Sequence, residues 1–242
     1  VYTEVGESFS IQINQNNKNP NTEVAISSDD ESIIKPNEDG SFTAVSGGHT
    51  IIRVTTTNIY FRNLKIEVFV GDGAESSPFY IFNGEQLASI GRPTANYSNY
   101  TSFHNYRLIA DINVATVSGG LWKPLVPFGG YFDGNGYTIS GVNIDKNAYV
   151  DRFGIEHAEG FVNSGLFSTI QPNGGVFNLK IKNFTATSVY DNGETAIGSV
   201  AGVNLGKVER VEVINANIKT NASYIGGVVG INKTTQGSAP NY

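Results

Sequence analysis

Branched apolar residues recur in the last third of the chain at spacings of three and then two: Val176, Leu179 and Ile181, and again Val208, Val211 and Val213. The second set follows the first at a constant offset of 32, and Ile218 follows the small Ala186 at that same offset. Their neighbours Lys180, Lys182, Glu209 and Glu212 are charged. Side chains alternate between faces in an extended chain, so this pattern predicts short strands with an apolar inner face and a charged outer one. A glycine-centred phrase travels with them. Ile197-Gly198-Ser199-Val200-Ala201-Gly202-Val203-Asn204 returns 28 residues later as Ile225-Gly226-Gly227-Val228-Val229-Gly230-Ile231-Asn232, and Ser164-Gly165-Leu166-Phe167 begins the same way. Self-similarity at such periods marks a stacked-repeat architecture. Further back, Ile139, Val142 and Ile144 precede Val176, Leu179 and Ile181 by 37, and Ile112 with Val114 precede Val142 with Ile144 by 30. The period drifts as expected when insertions fall in loops, and Asp145 to Asn163 reads as one of them.

Strands this short cannot bury their own apolar face and find a core by stacking on the preceding turn of chain, which predicts a parallel β-solenoid. Asparagines fall at equivalent places, Asn183 with Asn215 and Asn204 with Asn232. Two readings stand side by side: amides hydrogen-bonded from one turn to the next, or residues chosen because Asn tolerates left-handed turns. Residues 1–71 follow another grammar. Phe9 to Ile13, Val24 to Ile26, Ile51 to Val54 and Leu64 to Val70 alternate between polar turns, as strands of a sandwich do. The small, polar stretch 72–78 reads as a linker. Just beyond it, Asn83 with Gln86 three positions on, and Leu87 with Ile90, predict a short capped amphipathic helix able to cover the exposed end of the stack that follows in 79–242.

Composition removes several functions. A net charge of −6 and a pI near 5.1 leave no basic stripe, so nucleic acid and anionic membranes are not expected partners. The absence of cysteine excludes disulfides, thiolate metal sites and a cysteine nucleophile. No apolar run is long enough to span a bilayer. The absence of Met, residue 1 included, and of a signal sequence is what a processed or excised piece of a larger polypeptide would have.

Two family resemblances follow from the residues. Val5-Gly6-Glu7, then Ile26-Ser27-Ser28 through Ile34, then Asp39-Gly40-Ser41-Phe42 through Val54 resembles the bacterial immunoglobulin-like domain of group 2, with Val24 or Ile26 where that family usually has Trp. Gly84-Glu85-Gln86-Leu87, Tyr106 to Asn113, Trp122-Lys123-Pro124-Leu125, Phe132 to Ser140 and the glycine phrases are similar to the GLUG-motif β-helix modules of bacterial surface proteins and adhesins. Together the residues and the resemblances imply an all-β chain: an immunoglobulin-like sandwich, then a right-handed parallel β-helix with a short N-terminal cap helix. They imply an extracellular setting at the bacterial cell surface or in a secreted protein. A scaffold does not name an activity.

Candidate chemistry is sparse. Asp133-Gly134-Asn135-Gly136 offers oxygens to Ca²⁺, but an EF-hand needs more ligands and a terminal Glu, so a tight turn is the favoured reading and Asp133 stays a weak metal candidate. His49, His104 and His157 are scattered, with no metal-ligand spacing. The outward positions near the repeats mix Lys180, Lys207, Glu209, Arg210 and Glu212, without the acid cluster a polysaccharide-active β-helix enzyme would need. Tyr97, Tyr100, Phe103 and Tyr106, with Trp122, are candidate ligand-binding rings, although sealing the first turns would also use them. The expectation is a non-catalytic stalk or adhesion segment without a cofactor. Its partners would be a surface glycan or protein and the adjoining repeats of a parent chain. The rivals are a carbohydrate-binding module and an accessory domain of a polysaccharide-active enzyme or a metallopeptidase.

Overall fold

Strands dominate the computed structural model, which describes residues 1–12, 23–57, 63–145, 149–150, 156–157, 163–187 and 195–233. The protein is all-β, with one short α-helix among the described residues. It divides into two compact units, Val1–Tyr80 and Ile81–Tyr242.

In the first unit the strands are β1 (Tyr2–Glu4), β2 (Ser8–Ser10), β3 (Val24–Ser28), β4 (Ile34–Pro36), β5 (Ser41–Ala44), β6 (Gly48–Thr56) and β7 (Leu64–Gly71). One sheet has the order β1-β7-β6-β3, with β1 parallel to β7 and the other pairs antiparallel; the second is the antiparallel β2-β5-β4. Alternation along the strands sends Phe42 and Ala44 from one sheet, and Ile52, Val68 and Val70 from the other, into a shared core with Ile34. Ile26 packs against this core where the resemblance would have Trp. Ile13 lies outside the described residues. The stretch read as a linker is a closed turn inside the first unit: the Asp72 carboxylate accepts from the Ala74 amide and the Ser77 hydroxyl, and the Asp72 and Gly73 amides both donate to the Ser77 carbonyl.

The second unit opens with helix α1 (Gly84–Ser89). The Asn83 side chain accepts from the Gln86 amide and the Gln86 side chain returns to the Phe82 amide, a reciprocal cap close to the one the sequence predicts. Leu87 and Ile90 are buried, and Gly84 lies against Val114 and Val117, just after the strand Ile112–Asn113.

From there each turn of the chain lays its strands parallel to those of the turn before. Tyr106–Leu108, Tyr131–Asp133, Gly175–Phe177 and Lys207–Glu209 form one column; Ile112–Asn113, Thr138–Ser140, Lys180–Lys182 and Glu212–Ile214 form the next. Asn143–Asp145, Thr185–Thr187 and Asn217–Lys219 make a third, Asn163–Ser164, Ala196–Ile197 and Tyr224–Ile225 a fourth, and Phe167–Ile170, Ala201–Asn204 and Val229–Asn232 a fifth. Val176 pairs with Val208, Ile181 with Val213 and Ala186 with Ile218, so the offset of 32 is the register of the stack. Ile197 pairs with Ile225, the offset of 28.

The offsets of 37 and 30 are corrected. Ile139 pairs with Ile181, 42 residues on, and Ile112 with Ile139, 27 on. The three-then-two apolar spacing occurs at two successive corners of one turn, as 176-179-181 and again as 181-184-186, and the expected alignment slid by one strand. The corner Asp133 to Tyr137 is also longer than its successors: Phe132 and Ile139 are seven residues apart, where Val176 and Ile181 are five.

Between the third and fourth columns the connection spans residues 146–162, then 188–195, then 220–223, so length varies at one corner. The predicted insertion, Asp145 to Asn163, is the longest of these; much of it lies outside the described residues, and Tyr149–Val150 pairs antiparallel with Glu156–His157 within it. Burial falls away in the last turn. Ile139, Ile181 and Val176 are fully buried, whereas Ile225 is 51% exposed and Val228 36%.

Candidate functional site

The expected ring cluster is mostly interior. Tyr100, Tyr106 and Trp122 are buried. The Tyr106 hydroxyl donates to the Thr101 carbonyl (2.7 Å), the Gln86 side chain donates through Nε2 to the Tyr100 hydroxyl (3.4 Å), and the Trp122 indole donates to the Leu166 carbonyl (3.1 Å). The two tyrosine rings belong to a series passing from turn to turn: Tyr97 to Tyr100 (5.2 Å), Tyr100 to Tyr106 (5.4 Å), Tyr106 to Phe128 (6.2 Å), Phe128 to Phe167 (5.0 Å). Rings held this way fill the core with their polar ends satisfied, and their faces are not open to a ligand. Tyr97 is half-buried at the end of the series. Phe103 is the exception at 66% exposed; its ring lies over Gly129.

Asp133 sits at the first corner of the second turn, held by its own neighbours. One carboxylate oxygen accepts from the Asn135 amide and the Asn178 side chain, both at 2.9 Å; the other accepts from Arg107 Nε at 2.9 Å and lies 2.8 Å from Arg107 Nη2. Burial alone would raise its pKa, but the hydrogen bonds from Asn178, the Asn135 amide and Arg107, with the guanidinium charge, outweigh it and hold the carboxyl below the ordinary value. Asn135 and Gly136 take left-handed backbone angles, φ of 50° and 80°. This is the tight turn, with an arginine where a cation would need an open oxygen. Among the described residues no three His, Asp or Glu side chains gather to hold a metal. His49 stacks on Phe69 at 4.4 Å, His104 Nδ1 lies 2.8 Å from the Asn99 carbonyl, and His157 belongs to the antiparallel pair in the long connection.

Both asparagine readings apply together. Asn183 and Asn215 adopt φ of 55° and 56° at a corner shared with Gly141, and the Asn215 amide points to the Asn183 oxygen at 3.5 Å. Asn204 donates to Asn232 at 2.8 Å.

Sequence reasoning missed two features. Arg107, Asp133, Asn178 and Arg210 form a polar series across four successive turns, closed by Arg210 Nε donating to the Asn178 oxygen at 2.6 Å. The offset of 32 between Asn178 and Arg210 was visible; the pairing of Arg107 with Asp133 needs the register of the earlier turns. The second feature is aromatic. Tyr131 is 38% exposed and meets Phe177 of the next turn edge to face at 5.8 Å, with the Phe177 ring over Gly175. The sequence signal was alternation: Phe132 points inward, so Tyr131 must point outward.

No known family model matches the chain, and no solved structure matches it. The chain is similar to halomucin of Haloquadratum walsbyi (strain DSM 16790 / HBSQ001), with 30% identity over 143 residues. That stretch is 57% of this chain and 1% of the relative. The chain thus matches only a very small part of halomucin's length. No helix among the described residues is long and apolar enough to cross a membrane, a statement that does not bear on membrane β-barrels.

Proposed function

We propose that this chain is a non-catalytic segment of a large cell-surface or secreted protein and serves as a stalk and adhesion module. In this reading the first unit is an immunoglobulin-like sandwich of the bacterial group 2 kind. The second is a right-handed parallel β-helix of the GLUG type, capped by α1. The observation that carries the proposal is the register of Val176 and Ile181 on Val208 and Val213. Each turn takes part of its dry interior from its neighbour, so a scaffold of this kind lengthens by adding turns. The half-exposed Ile225 and Val228 of the last turn, and the outer strand edges beside them, suit the adjoining repeats of a parent chain. Similarity to a small part of a far longer protein, halomucin, is compatible with such a segment. Serial units carrying a lateral contact face would gain binding strength through multivalency.

Antibodies against this chain should label intact cells of the source organism, and external protease should remove the label. Labelling that requires permeabilised cells would overturn the surface assignment. Turnover of acidic polysaccharides by the purified chain, with or without Ca²⁺, would overturn the non-catalytic one.

A further inference from the structure

Two exposed rings and one half-buried ring lie at the first strand column and at the corner that leads into it. Phe103 lies against Gly129, where even a Cβ would stand 2.8 Å from the ring. Tyr131 comes two residues after Gly129, beyond the bend at Gly130, and opens the strand Tyr131–Asp133. Phe177 on the following turn lies down over Gly175, where a Cβ would stand 2.5 Å from its ring, and meets Tyr131 edge to face. Glycine at both places lets the rings rest against the backbone. Fixed polar groups border them. The Asn105 side chain is held by the Tyr131 amide at 2.9 Å, and Arg107 and Asp133 hold each other by two contacts, with Asp133 fixed further by Asn135 and Asn178.

We propose that this face binds a chain of neutral pyranose sugars, stacked on Tyr131 and Phe103 and hydrogen-bonded through their hydroxyls to Arg107, Asp133 and Asn105. A sugar ring has a C–H face that stacks on an aromatic ring and a hydroxyl edge that needs donors and acceptors close by. A protein partner fits less well, because charged and polar groups interrupt the apolar surface at every step. The charges weigh toward a neutral ligand: Arg107 is matched by Asp133 and Arg210 lies 3.6 Å from Glu209, so beside the exposed Lys207, in register with Gly175, an acidic sugar would meet carboxylates already in place. This inference supplies the adhesive contact of the proposed function and rests on that reading for its setting alone. The whole chain would be titrated with cello-, manno-, xylo- and chitohexaose by calorimetry and by amide NMR shifts. At least one should bind, with shifts centred on Tyr131 and Gly175. Phe103→Ala with Tyr131→Ala should weaken binding at least tenfold with an unchanged circular dichroism spectrum, and Tyr224→Ala, which removes a ring 48% exposed in the fourth column, should leave it unchanged. Tyr131→Phe should retain most of the affinity. A blank panel, binding indifferent to the double variant, or a preference for uronic acid oligomers would overturn the proposal, and none of these results would alter the surface-labelling test.

Discussion

A methyl group on Gly202 would stand 2.5 Å from the Ser164 amide nitrogen of the turn before, whereas one on Gly227 would meet nothing within 4 Å. Both glycines belong to the repeated phrase, yet only the first is fixed by the close approach of two backbones. Gly202→Ala should therefore cost about 1–3 kcal/mol in urea unfolding, and Gly227→Ala less than about 0.5 kcal/mol. Ser199 of the same phrase is fully buried, and its hydroxyl has no hydrogen-bond partner among the described residues. Its change to Ala should leave stability unchanged or raise it by up to about 1 kcal/mol, read from the same unfolding midpoints. Asp133 gives a pH signature. Its folded pKa lies below the ordinary 3.8, so its contribution is complete above the unfolded value and is lost as pH falls through the folded one. Between about pH 5 and pH 2.5 the native chain should lose more stability than the Asp133→Asn variant, as urea midpoints at the two pH values would record.

At the scale of strands, paired branched residues of one column differ in worth by their turn. Ile181 is fully buried between Ile139 and Val213, while Val213 lies half-buried in the last turn. Ile181→Ala should cost about 2–5 kcal/mol, and Val213→Ala clearly less, when both are measured by urea unfolding of the whole chain. The sequence made this stacking legible where turns are alike, since offsets of 32 and 28 could be read directly. It misled where a corner changed length, because a three-then-two spacing present at two corners has no unique alignment. That Tyr100, Tyr106 and Trp122 would face inward was hidden for a related reason. Crowding of Tyr97, Tyr100 and Tyr106 along the chain says nothing about facing, and the outward Tyr131 and Phe177 come together only through the pairing of Tyr131 with Gly175. The helix cap needed no such knowledge, since Asn83 and Gln86 are three residues apart and act locally.

For the molecule as a whole, the partition into Val1–Tyr80 and Ile81–Tyr242 places the single tryptophan in the second unit, 4% exposed. Its emission should be blue-shifted in the native chain and move to the red as that unit unfolds, and Ile181→Ala should bring the shift to lower urea. Change of composition along the chain was legible before any coordinates, because sandwich-like alternation and repeat phrases use different punctuation. The end of the first unit was less so: a breaker-rich segment reads as a tether, and only the bonds around Asp72 reveal it as a folded turn. The variable corner has a practical consequence. Since residues 146–162, 188–195 and 220–223 make the same crossing, and doubling a flexible loop costs only about 0.6 kcal/mol, that edge works as a natural grafting port, where a foreign epitope set between Thr220 and Ser223 could be displayed while the rungs on either side keep their pairing.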